Sequence, residues 1–326
     1  QMRAILFNHK SISFIDKPPP QTDHGEVLIK PLMAGVCATD IELFKGYYGF
    51  SGVPGHEFVG IVEASPGNPH LEGRRVVAEI NIGCGDCRWC RVGERKHCEA
   101  RRVIGIMNWD GAFSEYVKAP VENLHFVDDA LGDEQAVFAE PLAAALQVSQ
   151  QVHVTGSQRV IVLGDGKLGL LVALALRHYN PGVMLVGKHP EKLQIAGGQG
   201  VKTFHLESPD SLSKLVATLG TFDLVAEATG SEEGINQALA LVRKKGVIVA
   251  KTTSHLPSKL ALAKIVVDEI TVVGSRCGDF ALALAFLENR WLDVTPLIEA
   301  IYDFSRFPEA FDHAMRPGAK KILIRF

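Results

Sequence analysis

Five side chains near the start of the chain have types and spacing suited to metal chemistry. Cys37, Thr39 and Asp40 stand in Gly-Val-Cys-Ala-Thr-Asp, and His56 and Glu57 follow in Val-Pro-Gly-His-Glu after a loop rich in aromatics. A thiolate at Cys37 and an imidazole at His56 are borderline-soft zinc ligands, and a carboxylate or a water would complete an open tetrahedron. Thr39 could face the reacting oxygen and pass a proton outward. Asp40 could accept the other ring N–H of the histidine and fix its tautomer. Taken singly, each residue reads more simply as a buried free cysteine or a core histidine.

A second group makes the metal reading stronger. Of the six cysteines, Cys84, Cys87, Cys90 and Cys98 crowd into residues 83–99, leaving Cys37 and Cys277 outside. Four thiolates in the rhythm Cys-x-x-Cys-x-x-Cys, with a fourth shortly after, can close a tetrahedron round zinc with no open position, which is a structural site. The alternative is four reduced cysteines brought into one loop by chance. A further acid, Glu140 in Ala-Glu-Pro-Leu, stands where proline opens a helix. It is read at the loop-to-helix junction, either as a third zinc ligand or as an acceptor for the helix's free N–H groups.

The second half of the chain carries Gly164-Asp165-Gly166-Lys167-Leu168-Gly169 directly after the apolar run Arg159 to Leu163. Between a strand and a helix, glycines at this spacing admit a pyrophosphate to the helix N-terminus. The next strand ends Val186-Gly187-Lys188-His189. An acid there would hold the ribose hydroxyls of NAD. None is present and two cations are, so NADP is preferred and NAD is the alternative. Thr229-Gly230 and Thr252-Thr253 fall at strand ends on the ligand side of such a sheet, as contacts to the nicotinamide end or as ordinary capping turns. Arg276 either approaches the pyrophosphate or pairs with an acid.

These groups need two kinds of scaffold, and the patterning supplies both. The first third alternates short apolar runs (Ala4 to Phe7, Ser11 to Ile15, Val27 to Pro31, Phe58 to Glu63, Arg75 to Ile80, Ala112 to Ala119) with Gly and Pro punctuation, which predicts a β-rich distorted barrel. Strands at 159–164, 183–187, 202–206, 224–229, 246–251 and 269–274, with helices between the earlier ones, predict a doubly wound parallel sheet of α/β class. The runs 298–303 and 321–326 are expected to return to the first domain. Phe44, Tyr47, Tyr48 and Phe50 either line a pocket over the metal or fill the core, and Trp109 and Phe113 are candidates to narrow the cleft. At 326 residues the chain suits two domains. A net charge of −3 without a basic block argues against nucleic acid or an anionic membrane as partner. No apolar run reaches membrane-spanning length and the start reads as a strand rather than a signal peptide, so a cytoplasmic protein is expected.

Together, Cys37-Ala-Thr39-Asp40, Gly55-His56-Glu57, the four-cysteine lobe, Glu140-Pro141-Leu142 and Gly164-Asp-Gly166-Lys-Leu-Gly169 resemble the zinc-dependent medium-chain dehydrogenases/reductases, over nearly the whole chain. Glu140 in place of a second cysteine is more similar to the polyol and threonine dehydrogenase branch. The resemblance implies a GroES-like catalytic domain (1–141 and 276–326) and a Rossmann domain (142–275), with the active site in a cleft. It implies two zinc ions per chain: a catalytic one on Cys37 and His56, with Glu57 or Glu140 exchanging with water, and a structural one on Cys84, Cys87, Cys90 and Cys98. It also implies a homodimer or homotetramer acting on a small molecule. Two departures stand out: Gly187 replaces the aspartate of many NAD-using relatives, and Glu42 replaces a proton-relaying histidine. The expected reaction is reversible oxidation of an alcohol, polyol or sugar-like compound, with hydride passing to NADP or NAD and Thr39 carrying the proton. A zinc-dependent reductase of an activated aldehyde or double bond would share every motif. A non-catalytic NADPH-binding sensor would share the fold, but a retired site has no physical need for Cys37, Thr39, His56 and Glu57 together.

Overall fold

The computed structural model describes residues 1–8, 10–253 and 258–326. They form two compact units, 1–140 with 283–289 and 298–326, and 141–282 with 290–297.

The first unit is built round one long strand, Glu26–Val36. One of its edges pairs with Glu57–Ala64; the other is shared, Val117–Pro120 covering its first half and Lys321–Arg325 its second. Arg75–Ala78, Leu124–Phe126 and Ile298–Asp303 extend the sheet to seven strands. Register shifts on Glu26–Val36 curl the sheet toward a barrel. Met2–Asn8 and Ser11–Lys17 form a separate hairpin. The strand expected over Ala112 to Ala119 is only Val117–Pro120. Ahead of it, the backbone N–H groups of Ala112 and Phe113 donate instead to Gly55 and Pro54 carbonyls, at 2.9 and 3.0 Å. That segment braces the loop leading into His56.

The second unit holds six parallel strands in the spatial order Lys202–His205, Met184–Gly187, Val160–Leu163, Phe222–Glu227, Val242–Ala250, Thr271–Gly274. This is the third-second-first-fourth-fifth-sixth order of a Rossmann sheet. Val160–Leu163 is buried along its whole length, as a central parallel strand covered on both faces must be. Its core joins Ile161, Leu163, Val186, Val225 and Ile248. Residues 276–282 and 290–297, placed with the first domain by the sequence reading, cluster here. The reasons are local: the Lys251 ammonium donates to the Arg276 carbonyl at 3.0 Å, and Gln199 and Asp293 exchange two 2.8 Å hydrogen bonds. Among the described residues, no helix is long and apolar enough to cross a membrane.

Candidate active site

Cys37 is the residue on which the helix Ala38–Phe44 begins, and Asp40 in its first turn accepts the Cys37 backbone N–H at 2.8 Å. That reciprocal turn fixes where the thiol points. The same carboxylate, fully buried, places its other oxygen 3.3 Å from His56 Nδ1, in a direction that does not make a hydrogen bond. Asp40 therefore stands behind both donors. Ligand atoms of Cys37, His56 and Glu57 lie within 4.8 Å of one another. Burial pushes the His56 pKa down, but the Asp40 carboxylate and the Cys37 sulfur outweigh it and hold the ring well above the usual imidazole range. A metal would displace that proton. Glu57 Oε1 is buried with no hydrogen-bond partner, an orphaned acceptor beside a sulfur and a nitrogen. A sulfur, a nitrogen and an oxygen converging with an unsatisfied carboxylate fit zinc. Thr39 is half-buried in the helix's first turn, two residues past the thiol.

Glu57 is positioned by two features that the sequence did not reveal. It pairs in register with Gly35, where a Cβ would come within 2.4 Å of Glu57 Oε2, so only glycine leaves room for the carboxylate. Lys321 then reaches that oxygen with its Nζ at 2.5 Å, both side chains being buried. Burial lowers the pKa of Lys321, but the charges of Glu57, Cys37 and Glu140 outweigh it and keep the ammonium charged. Glu140 lies inside the first turn of the helix Ala139–Gln151, not before it, and outside the set of three close donors. Upstream of His56, Gly55 has φ +101° and a Cβ there would meet the Phe113 nitrogen at 2.7 Å, so the approach to the ligand is tight backbone packing.

The aromatic residues divide. Phe44 is half-buried and packs edge-on against Phe7 and Phe311, and Phe113 is buried in the core against Phe307. Tyr48, Phe50 and Trp109 line a cleft of about 790 Å³ whose walls include none of Cys37, His56 and Glu57. Glu42, at the place of the relay histidine, pairs with Lys45 at 2.9 Å.

In the lobe, Cys84, Cys87, Cys90 and Cys98 bring their sulfurs within the same 4.8 Å limit. Backbone N–H groups of Cys84 and Cys87 donate to the sulfurs of Cys98 and Cys84, at 3.4 and 3.3 Å. Cys87 and Cys90 sulfurs are 3.6 Å apart, near the edge of about 3.8 Å for a tetrahedron with Zn–S of about 2.3 Å. N–H donation from Asp86 and Cys87 lowers the Cys84 pKa to about 6, whereas desolvation raises Cys90 to about 11. Four thiols so arranged fit a closed zinc site.

In the second unit Gly164 turns with φ +110°, Gly166 precedes the helix Lys167–Tyr179, and Lys167, Leu168 and Gly169 form its first turn. The strand end Gly187 carries no acid, yet a carboxylate is there. Asp165 lies across it: a Cβ on Gly187 would meet Asp165 Cγ and Oδ2 at 2.3 Å. Asp165 accepts the His189 backbone N–H at 2.7 Å, and its two oxygens lie 3.1 Å from His189 Nδ1. His189 thus faces an anion, and Lys188 is the exposed cation of the pair. Glu227, which the sequence reading passed over, gathers the other strand ends. Its Oε1 accepts the Thr229 N–H at 2.8 Å and the hydroxyls of Thr229 and Thr252 at 2.7 Å each, while Gly230 N–H donates to Thr252 at 2.9 Å. Thr253 and the Arg276 side chain are exposed, and Cys277 is half-buried.

This pairing of a GroES-like barrel bearing metal donors with a Rossmann sheet defines a class. Residues 23–129 match the alcohol dehydrogenase GroES-like domain and residues 168–299 the zinc-binding dehydrogenase domain. The chain belongs to the zinc-type medium-chain dehydrogenases. It is 30% identical to a sorbitol dehydrogenase of Halalkalibacterium halodurans, over 95% of this chain and 94% of that one. A D-arabitol-phosphate dehydrogenase of Enterococcus avium is 29% identical over 97% and 94% of the two chains. Among solved structures, an alcohol dehydrogenase (RspB) from Escherichia coli CFT073, complexed with NADH, superimposes with a TM-score of 0.93 at 27% identity, covering 100% of this chain and 99% of that one.

Proposed function

We propose that this protein is a zinc-dependent, nicotinamide-linked oxidoreductase that interconverts a secondary alcohol of a polyol or sugar-like compound and the corresponding carbonyl. The observation that carries this reading is the buried convergence of Cys37, His56 and Glu57 with Asp40 behind two of them. Zinc held there supplies Lewis acidity that eases loss of the alcohol proton, and a nicotinamide supplies the hydride acceptor. The chain's own residues do the rest. Asp40 orients Cys37 through its backbone and presents a negative oxygen to His56, so the thiolate and imidazole converge from a rigid turn. Lys321 neutralises Glu57 on one oxygen and leaves the buried Oε1 without a hydrogen-bond partner. Thr39, two residues past Cys37, would receive the substrate proton, and Glu140 adds a second carboxylate to the field. The lobe holds a second zinc, giving two per chain. Support for a polyol comes from the sorbitol and arabitol-phosphate dehydrogenases that the chain resembles. The glycine turn suits either dinucleotide, and the groups at the end of strand Met184–Gly187 choose between them.

The test is zinc analysis joined to a substrate panel. Purified protein should carry two zinc ions and reduce a nicotinamide in the presence of sugar alcohols. Cys37→Ser should lose one zinc and lower turnover by about a thousandfold or more, as expected when a Lewis acid is removed from the reacting centre. Full turnover in that variant would refute catalytic zinc at Cys37.

A further inference from the structure

We infer that Asp165 replaces the missing strand-end acid as the group that reads the adenosine ribose, and that the site therefore selects NAD over NADP. This rests on the oxidoreductase reading above and deepens it, reversing the preference expected from the sequence.

The inference starts from the backbone. Val160–Leu163 and Met184–Gly187 are parallel neighbours with Leu163 opposite Val186, and Gly164 N–H donates to the Val186 carbonyl at 2.9 Å. Gly164 and Gly187 are thus adjacent at the carboxyl edge, where such sheets bind ligands. The turn at Gly164 sends the next residue sideways over the second strand. Asp165 can lie there only because Gly187 has no Cβ, since that atom would fall on the Asp165 side chain at 2.3–2.4 Å. An acid at position 187 would project from this same point. The chain places one carboxylate in that volume, delivered from the glycine turn instead of from the strand end.

Its hydrogen bonds leave it competent for hydroxyls. The His189 N–H takes one direction on Oδ2, and the imidazole Nδ1 sits 3.1 Å from both oxygens. Each carboxylate oxygen has more than one lone pair, so acceptor capacity remains for a vicinal diol. A phosphate on the same ribose would instead bring two further negative charges against Asp165, which is 6% exposed and poorly screened by solvent. On the cationic side, His189 is already engaged with Asp165, and Lys188 is solvent-exposed. A screened lysine does not offset a like charge held in contact.

The geometry also changes which substitution can switch the cofactor. Adding an acid at Gly187 collides with Asp165, so the informative change is Asp165→Asn, which keeps the shape and an acceptor for the His189 N–H but removes the charge. Dissociation constants of NADH and NADPH for the full-length, zinc-loaded protein can be read from nicotinamide fluorescence, without turnover. Wild type should bind NADH at least about tenfold tighter, and Asp165→Asn should shrink that ratio by about tenfold, mainly through stronger NADPH binding. A wild-type ratio near one or favouring NADPH, or a ratio that Asp165→Asn leaves within about twofold, overturns the role of Asp165 while leaving the dehydrogenase reading intact. Binding of neither dinucleotide overturns both. Should the variant fold poorly, wild type alone decides. 5′-AMP should bind more tightly than adenosine 2′,5′-bisphosphate, which differs only by the 2′-phosphate, and the opposite order refutes the inference.

Discussion

The two metal-competent clusters of the first unit are assembled in opposite ways. The four-cysteine lobe draws its donors from one short loop. Cys84 is exposed, Cys98 is wholly buried, and the sulfurs of Cys84 and Cys98 accept N–H groups from within the same stretch, 3 and 14 residues away. The Cys37–His56–Glu57 cluster takes donors from a helix start, a loop end and a strand; Asp40 and Gly35 support it from within three residues of Cys37, and Lys321 from a sequence separation of 264. A local site can be assembled and lost as a unit. A site built from distant strands exists only when the barrel does, and the barrel in turn depends on its buried charges being balanced.

That contrast can be broken first at Lys321. Lys321→Met should destabilise the protein by about 3–5 kcal/mol, the cost of stranding one partner of a buried ion pair, measured by denaturant unfolding. Adding Glu57→Gln should recover much of the loss. If Lys321→Met is neutral, Glu57 is not held as described. Chelation sharpens the difference further: a three-donor site with an open position should release zinc before a closed four-thiolate site. Turnover should therefore fall to near zero while about one zinc per chain remains, and loss of both ions together would erase the distinction. The smallest effect on chemistry is expected in the lobe. Cys84→Ser should remove one zinc and lower Tm by on the order of 5 °C, while turnover falls far less than in Cys37→Ser.

How legible each cluster was follows the same division. The cysteine rhythm announces the lobe because all its determinants lie in one stretch. Cys37 and His56 were readable as donors from residue type, Glu57 only as one of two acids that the family resemblance implies, and Val160–Leu163 as a buried strand from its unbroken apolar run. Lys321 was not readable: in Ala-Lys-Lys-Ile-Leu it looks like an ordinary cation, and only the pairing of Lys321–Arg325 with Glu26–Val36 brings it beside Gly35 and Glu57. Glu227 was hidden for a similar reason, since its partners Thr229 and Thr252 stand on two strand ends. Asp165 was readable as part of the glycine turn but not as the carboxylate beside Gly187, because the missing Cβ at Gly187 is what admits it from that turn. The segment 112–116 was read into a strand, but its Ala112 and Phe113 N–H groups serve the loop before His56 and its Glu115 N–H donates to the Arg3 carbonyl.

The long reach between Glu57 and Lys321 has a consequence for how the protein is made. At about 5–20 residues per second, a ribosome takes tens of seconds to cover the sequence separation of 264 from Glu57 to Lys321. Through that interval the second half of Glu26–Val36 has one edge unpaired, and Glu57 lies over Gly35 without its counter-cation. The whole Rossmann sheet emerges meanwhile with all its strands in hand. The nascent barrel therefore carries an open edge, the kind that recruits other chains, until the strand Lys321–Arg325 is synthesised and closes it.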